Sequence, residues 1–380
     1  MSSTNRYPPG FYLAIAANFF FFASFQWTFA TLPGYIQVIG GDAAQIGLAY
    51  GLFTLSAVVV RPSLGRLIDR WGRKPVLLAG AAIFASSPAL YALAHSLWPF
   101  MAVRLFHGLG IAAFTTAYTA LVTDLAPAAR RGEAVGLSGV TSSLGLVFAP
   151  ALGVCVQANR GYAAHFLVAA GIGTGSLLLL LPLVEPQRGR QSVSDGADLR
   201  TVARRRPVWV AALGGTGLAV AYGAVLSFLP PFAAQRGLTA TGGYFTAFAV
   251  AMMAAQASAG WLSDRVGRRA VAAPGLAVAV VATAGLAMAR TDAALLTAGA
   301  GLGLSWGLVR AGLDTAVVDA VPAEMRGTAL GFLYTCFDIG VGAGSFGLGV
   351  VAQAQGYGAA FYVAAVWAGA ALAGYLAWGR

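Results

Sequence analysis

Twelve apolar stretches, each about as long as a bilayer is thick and separated by short polar breaks, run through this chain. A hydrocarbon core of about 30 Å takes about 20 apolar residues of helix. The stretches are 11–33, 43–64, 75–95, 98–121, 133–156, 163–183, 208–231, 241–262, 271–289, 293–317, 328–350 and 357–378. Only helices and closed barrels satisfy their backbone inside lipid. Runs such as Leu177–Leu181 lack the in-out alternation of a barrel strand, so the expected fold is an all-α membrane protein. Charged residues make up 10% of the 380 positions, against about a quarter in a soluble domain. Lipid is the solvent for most of this sequence. Arg6 precedes a full-length span and no small-residue cleavage pattern follows a short apolar core, so no cleavable signal is expected.

The net charge of +11 points to nucleic acid until the arginines are sorted by side of the membrane. With the N-terminus inside, the cytoplasmic segments hold Arg6, Arg66, Arg70, Arg73, Lys74, Arg130, Arg131, Arg188, Arg190, Arg200, Arg204, Arg205, Arg206, Arg265, Arg268, Arg269, Arg326 and Arg380. The opposite loops keep Arg160, Arg236 and Arg290. Positive charge collects on the inner side of membrane proteins, so both termini are expected in the cytoplasm. No contiguous basic face is left for nucleic acid. Cys155 and Cys336 both fall inside spans and read as small packing residues rather than a disulfide or metal pair.

The chain also repeats itself. GRLIDRWGRK at Gly65–Lys74 returns as GWLSDRVGRR at Gly260–Arg269, and DLAPAARRGEAVG from Asp124 returns as DAVPAEMRGTALG from Asp319. Both pairs share one offset of 195 residues, 65 to 260 and 124 to 319. A single offset across separate loops implies duplication of a six-helix unit. The expected organisation is a first bundle over 1–184, a polar cytoplasmic linker over 185–207 and a second bundle over 208–380. Parallel repeats of this kind place a substrate site near the midplane between the halves, with access alternating by rocking.

Gly65, Asp69, Arg70, Gly72, Arg73 and Lys74 resemble the loop motif between the second and third helices of the major facilitator superfamily, and the resemblance covers the whole chain. It implies that this loop is a cytoplasmic gate, matched in the second half by Gly260, Asp264, Arg265, Gly267 and Arg268. Asp69 would then sit near the N-terminus of the eleventh helix, where the helix dipole favours a carboxylate, and the glycines would let helices close up. In the fourth helix Arg104, Gly108 and Gly110 resemble the family's R-x-x-x-G-x-G pattern, with His107 at a position usually polar. In drug exporters of the family that arginine is associated with proton coupling, whereas a purely structural Arg104 would snorkel to the outer interface. In the fifth helix Gly145, Pro150 and Gly153 resemble the G-x-x-x-G-P-x-x-G motif of exporting antiporters, with Ala149 in place of the second glycine. Pro150 is expected to bend this helix, and the glycines to pack where the halves meet.

A charge buried in a bilayer marks function by default. Six groups qualify: Arg61, Arg104, His107, Arg310, Asp314 and Asp338. None falls within helices three, six, nine or twelve, which in the family face lipid. Arg310 lies nine residues before Asp319 and Asp338 eleven after Gly327, so both are expected at one depth on neighbouring helices. Arg310 and Asp338 are expected to approach one another across the tenth and eleventh helices; the alternative partner for Arg310 is Asp314, four residues on along its own helix. Asp338 is the best single candidate for a proton carrier, because burial favours a neutral carboxyl and a nearby arginine a charged one. Arg61 reads as a snorkelling residue beside the gate loop, His107 as either a titrating group or a packing residue, and His95 and His165 as helix-end residues. Asn18, Gln26, Trp27, Tyr35 and Tyr222 on the first and seventh helices are candidates for the cavity wall, which is mainly apolar in binding sites generally.

Ser138 in the sequence G-L-S-G resembles an intramembrane protease motif, but His107 and His165 lie about 20 Å away on the helix rise, too far to activate it. No phosphate-cradling glycine loop supplies ATP chemistry. The expectation is therefore not an enzyme but a monomeric secondary transporter of the bacterial inner membrane, using no cofactor, exporting a small organic compound in exchange for protons. The alternatives are gradient-driven uptake of a small metabolite and a non-transporting receptor. The duplication makes a direct prediction: single cysteines at Arg70 and Arg265, in a background lacking Cys155 and Cys336, are modified by a membrane-impermeant thiol reagent from the same face. Modification from opposite faces removes the six-helix repeat.

Overall fold

A computed structural model of the chain describes residues 6–127, 130–185, 201–202, 204–322 and 325–378. Most of the expected linker lies outside the described residues. The helices in chain order are α1 (Pro9–Trp27), α2 (Leu32–Val38), α3 (Ala43–Trp71), α4 (Arg73–Leu93), α5 (Leu97–Leu125), α6 (Arg131–Leu180), α7 (Arg206–Gln235), α8 (Thr241–Val266), α9 (Arg268–Met288), α10 (Asp292–Asp319), α11 (Arg326–Gln355) and α12 (Tyr357–Trp378). Among the described residues, 11 helices are long and apolar enough to cross a membrane.

Three boundaries differ from the sequence reading. The first span does not run unbroken to residue 33: α1 ends at Trp27, and α2 starts afresh with a proline in its first turn, Pro33. The Thr28 and Thr31 hydroxyls donate to the carbonyls of Phe25 and Thr28, the local side-chain competition that interrupts a helix. Spans five and six have no loop between them. They form one run of 50 residues broken only at Gly161, whose φ of 78° and ψ of 176° are non-helical. The gate motif, expected as a loop, is mostly helix. α3 continues through Gly65 to Trp71, and Gly72 alone, at φ 88°, separates it from α4; Gly267, at φ 92°, does the same between α8 and α9. Only glycine takes that left-handed backbone without Cβ strain.

The chain divides into two compact units. One holds the described residues up to Gly41 and from Leu52 to Glu185; the other holds Asp42–Gly51 and the described residues from 201 onward. In the first unit α1 packs on α6 and α4 on both α5 and α6; in the second α7 packs on α11 and α12, α9 on α10 and α12, and α8 on α10. The first core is aromatic, with Phe21 stacked on Phe114 at 3.6 Å between centroids and Phe84 at 4.0 Å.

Small residues set the closest approaches, as they do between helices in lipid. A Cβ on Gly108 would lie 2.2 Å from the Phe53 carbonyl oxygen, and one on Gly303 would lie 2.1 Å from that of Phe248. Gly80 faces the Phe114 nitrogen at 2.5 Å and Gly275 the Val309 nitrogen at 3.2 Å. All four pairs obey the 195-residue offset, so the repeat seen in the gate segments extends to the helix contacts. Gly303→Ala forces α8 and α10 apart and is expected to lower stability by about 1–3 kcal/mol. Gly285→Ala, where a Cβ meets nothing within 4 Å, is neutral. Thermal unfolding in detergent compares them, and equal midpoints would show that the close approach is unimportant.

Candidate functional site

The gate segments build the same clamp in both units. Arg73 Nε lies 2.6 Å from Asp124 Oδ2 on α5, and Arg268 Nε lies 2.9 Å from Asp319 Oδ2 on α10. Lys74 Nζ donates to the Leu181 carbonyl at 2.8 Å, and Arg269 donates to the Leu376 carbonyl. Each of these partners is displaced by 195 residues. The units then diverge. In the first, Glu185 accepts the Arg73 and Lys74 backbone N–H groups at 2.8 and 3.0 Å, placing a carboxylate on the unpaired donors of the α4 N-terminus. In the second, Asp264 pairs with Arg268 itself. Asp69, Arg70 and Arg265 are exposed at the ends of their helices. Gly65 and Gly260, expected to bring helices together, have nothing within 4 Å of a Cβ position among the described residues.

Arg104 does not snorkel. It sits about two turns into α5 and is 2% exposed, with its guanidinium 4.4 Å from the Phe53 ring centroid and Nη1 donating to Tyr91 Oη at 3.3 Å. The same hydroxyl meets His107 Nδ1 at 2.8 Å. The sequence gives no sign that Tyr91, on α4, joins the two. Gly108 and Gly110 are accounted for by packing, against the Phe53 carbonyl and the Phe84 nitrogen.

Within its own unit the helix-five motif packs on α1. A Cβ on Gly145 would lie 3.0 Å from Ala23 Cα, and one on Gly153 would lie 2.4 Å from the Trp27 carbonyl oxygen. Ala149 is buried with Trp27 and Ala169, so α1 leaves room there for one methyl group. Pro150 is buried inside α6.

Of the cavity candidates, three make hydrogen bonds inside the first unit, while the amide oxygens of Asn18 and Gln26 meet no partner among the described residues. Asn18 Nδ2 donates to Ser138 O, Thr141 Oγ1 and Ser142 Oγ at 2.9–3.0 Å, Gln26 Nε2 donates to Ser142 O at 2.8 Å, and Tyr35 Oη donates to the Tyr91 and Ala94 carbonyls. Trp27 stacks with His165, centroids 5.9 Å apart. His165 is no helix-end bystander. It is fully buried, with Nδ1 3.0 Å from the Gly153 carbonyl and Nε2 2.8 Å from Thr31 Oγ1. The sixth span therefore carries a buried ionisable group after all, because the chain turns at Gly161 with no loop and places His165 against Thr31, at the break between α1 and α2. Ser138 bonds to Tyr118 and the Ala134 carbonyl. Cys155 is exposed rather than packed.

In the second unit Arg310 Nη2 pairs with Asp314 Oδ2 at 3.4 Å, the along-helix alternative to the expected approach to Asp338. Tyr334 of α11 donates to the same carboxylate oxygen at 3.0 Å, and its ring lies 4.2 Å beneath the guanidinium. Asp338 is half-buried one turn further along α11. Tyr222, also half-buried, contacts Trp306 at 4.6 Å and Phe248 at 5.8 Å, and Trp306 reaches Phe337 at 5.1 Å. Tyr334 and Trp306 were missed because an aromatic in an apolar span has no distinguishing sequence signal. With α3 running to Trp71, Arg61 lies half-buried well inside a helix instead of at its end.

Comparison with known proteins agrees with this architecture. The profile of the Major Facilitator Superfamily matches residues 14–345 and 239–380. The inner membrane transport protein YajR of Escherichia coli is 32% identical over 145 residues, 38% of this chain and 32% of YajR. The quinolone resistance protein NorA of Staphylococcus aureus is 23% identical over 175 residues, 46% of this chain and 45% of NorA. The matched stretches thus span less than half the length of either relative. Among solved structures, a bacterial homologue of the human lysosomal transporter Spinster aligns with a TM-score of 0.82 at 18% identity, covering 98% of this chain and 96% of that one. The nucleoside transporter NupG aligns at 0.78 and 14%, covering 98% and 100%. At these identities the structures speak for the fold alone. The chain belongs to the Major Facilitator Superfamily, whose profile it matches along most of its length, and its apolar helices make it a multi-pass membrane protein.

Proposed function

We propose that this transporter exports a small organic compound in exchange for protons, by alternating access, as a monomer of the bacterial inner membrane with both termini in the cytoplasm. The observation that carries most weight is the charge set on α10 and α11: Arg310, Asp314 and, one turn beyond Tyr334, Asp338. A carboxylate inside the hydrocarbon region persists only with a partner or a function. Asp338 is the proposed proton carrier, and the Arg310–Asp314 pair the neighbouring charge that responds to its state. Direction rests on the near match at Gly145, Ala149, Pro150 and Gly153, and on similarity to NorA, whose name is one of resistance to quinolones.

The two gate clamps and the exposed Asp69 fit an inward-side latch that opens and closes as the six-helix bundles, 1–184 and 208–380, rock about the polar linker. Arginine enrichment at the clamp ends supports placing them in the cytoplasm. Tyr222 with its aromatic neighbours supports an apolar, ring-accepting cavity wall.

The test is flux. Everted vesicles with an acidified lumen are expected to take up a fluorescent quinolone, and Asp338→Asn, which cannot lose a proton, to lower that uptake at least about tenfold while quinolone exchange at equal pH continues. Undiminished proton-driven uptake by the Asn variant eliminates Asp338 as carrier. Accumulation by intact cells instead favours the uptake reading.

A further inference from the structure

We propose that Tyr91 is a positioning residue for Arg104, and that His107 gives its hydroxyl a direction; the proposal rests on Arg104 taking part in the coupled transport described above. A guanidinium has only N–H donors, so in the 3.3 Å contact Arg104 Nη1 donates and Tyr91 Oη accepts. The phenol then has one proton to give. Its partner at 2.8 Å is His107 Nδ1. A hydroxyl that already accepts from a cation is polarised toward donating to the next acceptor, so Nδ1 accepts and the imidazole carries its proton on Nε2. The other tautomer aims two N–H groups at one phenol oxygen and leaves the phenol proton to find a third partner inside a bundle where buried polar groups are paired.

The surroundings of Nε2 agree with this assignment. His107 is 2% exposed, and Nε2 meets no nitrogen or oxygen partner among the described residues. Instead the imidazole lies 4.1 Å from the Phe84 ring centroid and 5.4 Å from that of Phe53, nearly perpendicular to the latter. Aromatic rings are weak acceptors for N–H, so a protonated Nε2 is tolerated among them. The result is a directed chain from Arg104 to Tyr91 to His107, with Arg104 and His107 three residues apart on one face of α5 and Tyr91 reaching in from α4. Phe53 holds the guanidinium by stacking, and the phenol holds its Nη1 edge.

The duplication separates this chain from ordinary scaffolding. At the 195-residue offset, Phe53 and Gly108 return as Phe248 and Gly303, and the close glycine contact returns with them. Tyr91, Arg104 and His107 return as Leu286, Gly299 and Leu302. The glycine contacts that hold the bundle together serve both copies. The contact at Tyr91 exists in a single half, beside the only one of the two fourth-helix equivalents that keeps an arginine.

The full-length protein, labelled with 15N-histidine in lipid nanodiscs, reads the tautomer directly, with His107 assigned from the spectrum of His107→Asn. The expected wild-type pattern is an unprotonated, accepting Nδ1 and a protonated Nε2, and Tyr91→Phe is expected to convert it to a tautomer mixture. In everted vesicles Tyr91→Phe should lower the maximal proton-driven rate for the quinolone about tenfold at unchanged KM, the size of effect of one hydrogen bond to a buried charge. His107→Leu, which leaves the phenol in place, should lower it in the same direction, and the double variant no further than the worse single one. A wild-type His107 protonated on Nδ1, or a folded Tyr91→Phe protein whose His107 spectrum or maximal rate matches wild type, overturns the proposal. If wild type moves no quinolone, the transport reading fails while the spectrum still decides the tautomer.

Discussion

A charge carried into hydrocarbon must bring its own partner, and much of this structure follows from that requirement. At the helix ends the solution is a clamp: Arg73 with Asp124 and Arg268 with Asp319, where a guanidinium at the start of one helix meets a carboxylate at the end of the next. In the interior the solutions are local and differ between the halves. Arg310 uses Asp314 on its own helix and the face of Tyr334, whereas Arg104 uses a phenol and a phenyl ring. The two halves therefore surround their interior arginines with different side chains on scaffolds that are otherwise copies.

The copying is visible at three levels of detail. The sequence shows it in two loop motifs, the backbone in a left-handed glycine at Gly72 and again at Gly267, and the packing in glycines that admit a neighbouring backbone at identical offsets. Packing of this kind tolerates no side chain at all, so it persists when surrounding residues drift. Hydrogen bonds are less constrained, and it is in these that the units part: Glu185 caps a helix in one unit, and Asp264 pairs with Arg268 in the other.

Fold class and span number were legible because lipid imposes one length and one composition on every helix. The charge pair on the tenth helix was legible for a similar reason, since four residues on an α-helix always return to the same face. What sequence could not supply was the direction in which each face points. Gly145 and Gly153 carry no sign that they seat α1, nor Asn18 and Gln26 that their amide groups donate to α6. His165 was passed over because a histidine near the end of an apolar run is indistinguishable from an interfacial one until Gly161 is seen to join the two spans. Tyr91 carries no spacing signal, because its partners lie on a different helix.

Gly161 also sets how the first unit can deform. Spans five and six share no loop, so one pair of backbone dihedrals is the whole joint between them. A loop of several residues absorbs a twist by spreading it over many bonds; a single residue has no such slack. Any turn of the stretch that seats α1 about its own axis is therefore handed on to the stretch bearing His165, and through that imidazole to Thr31 at the break in the first span. Three segments distant in sequence are thus joined through one glycine and one imidazole.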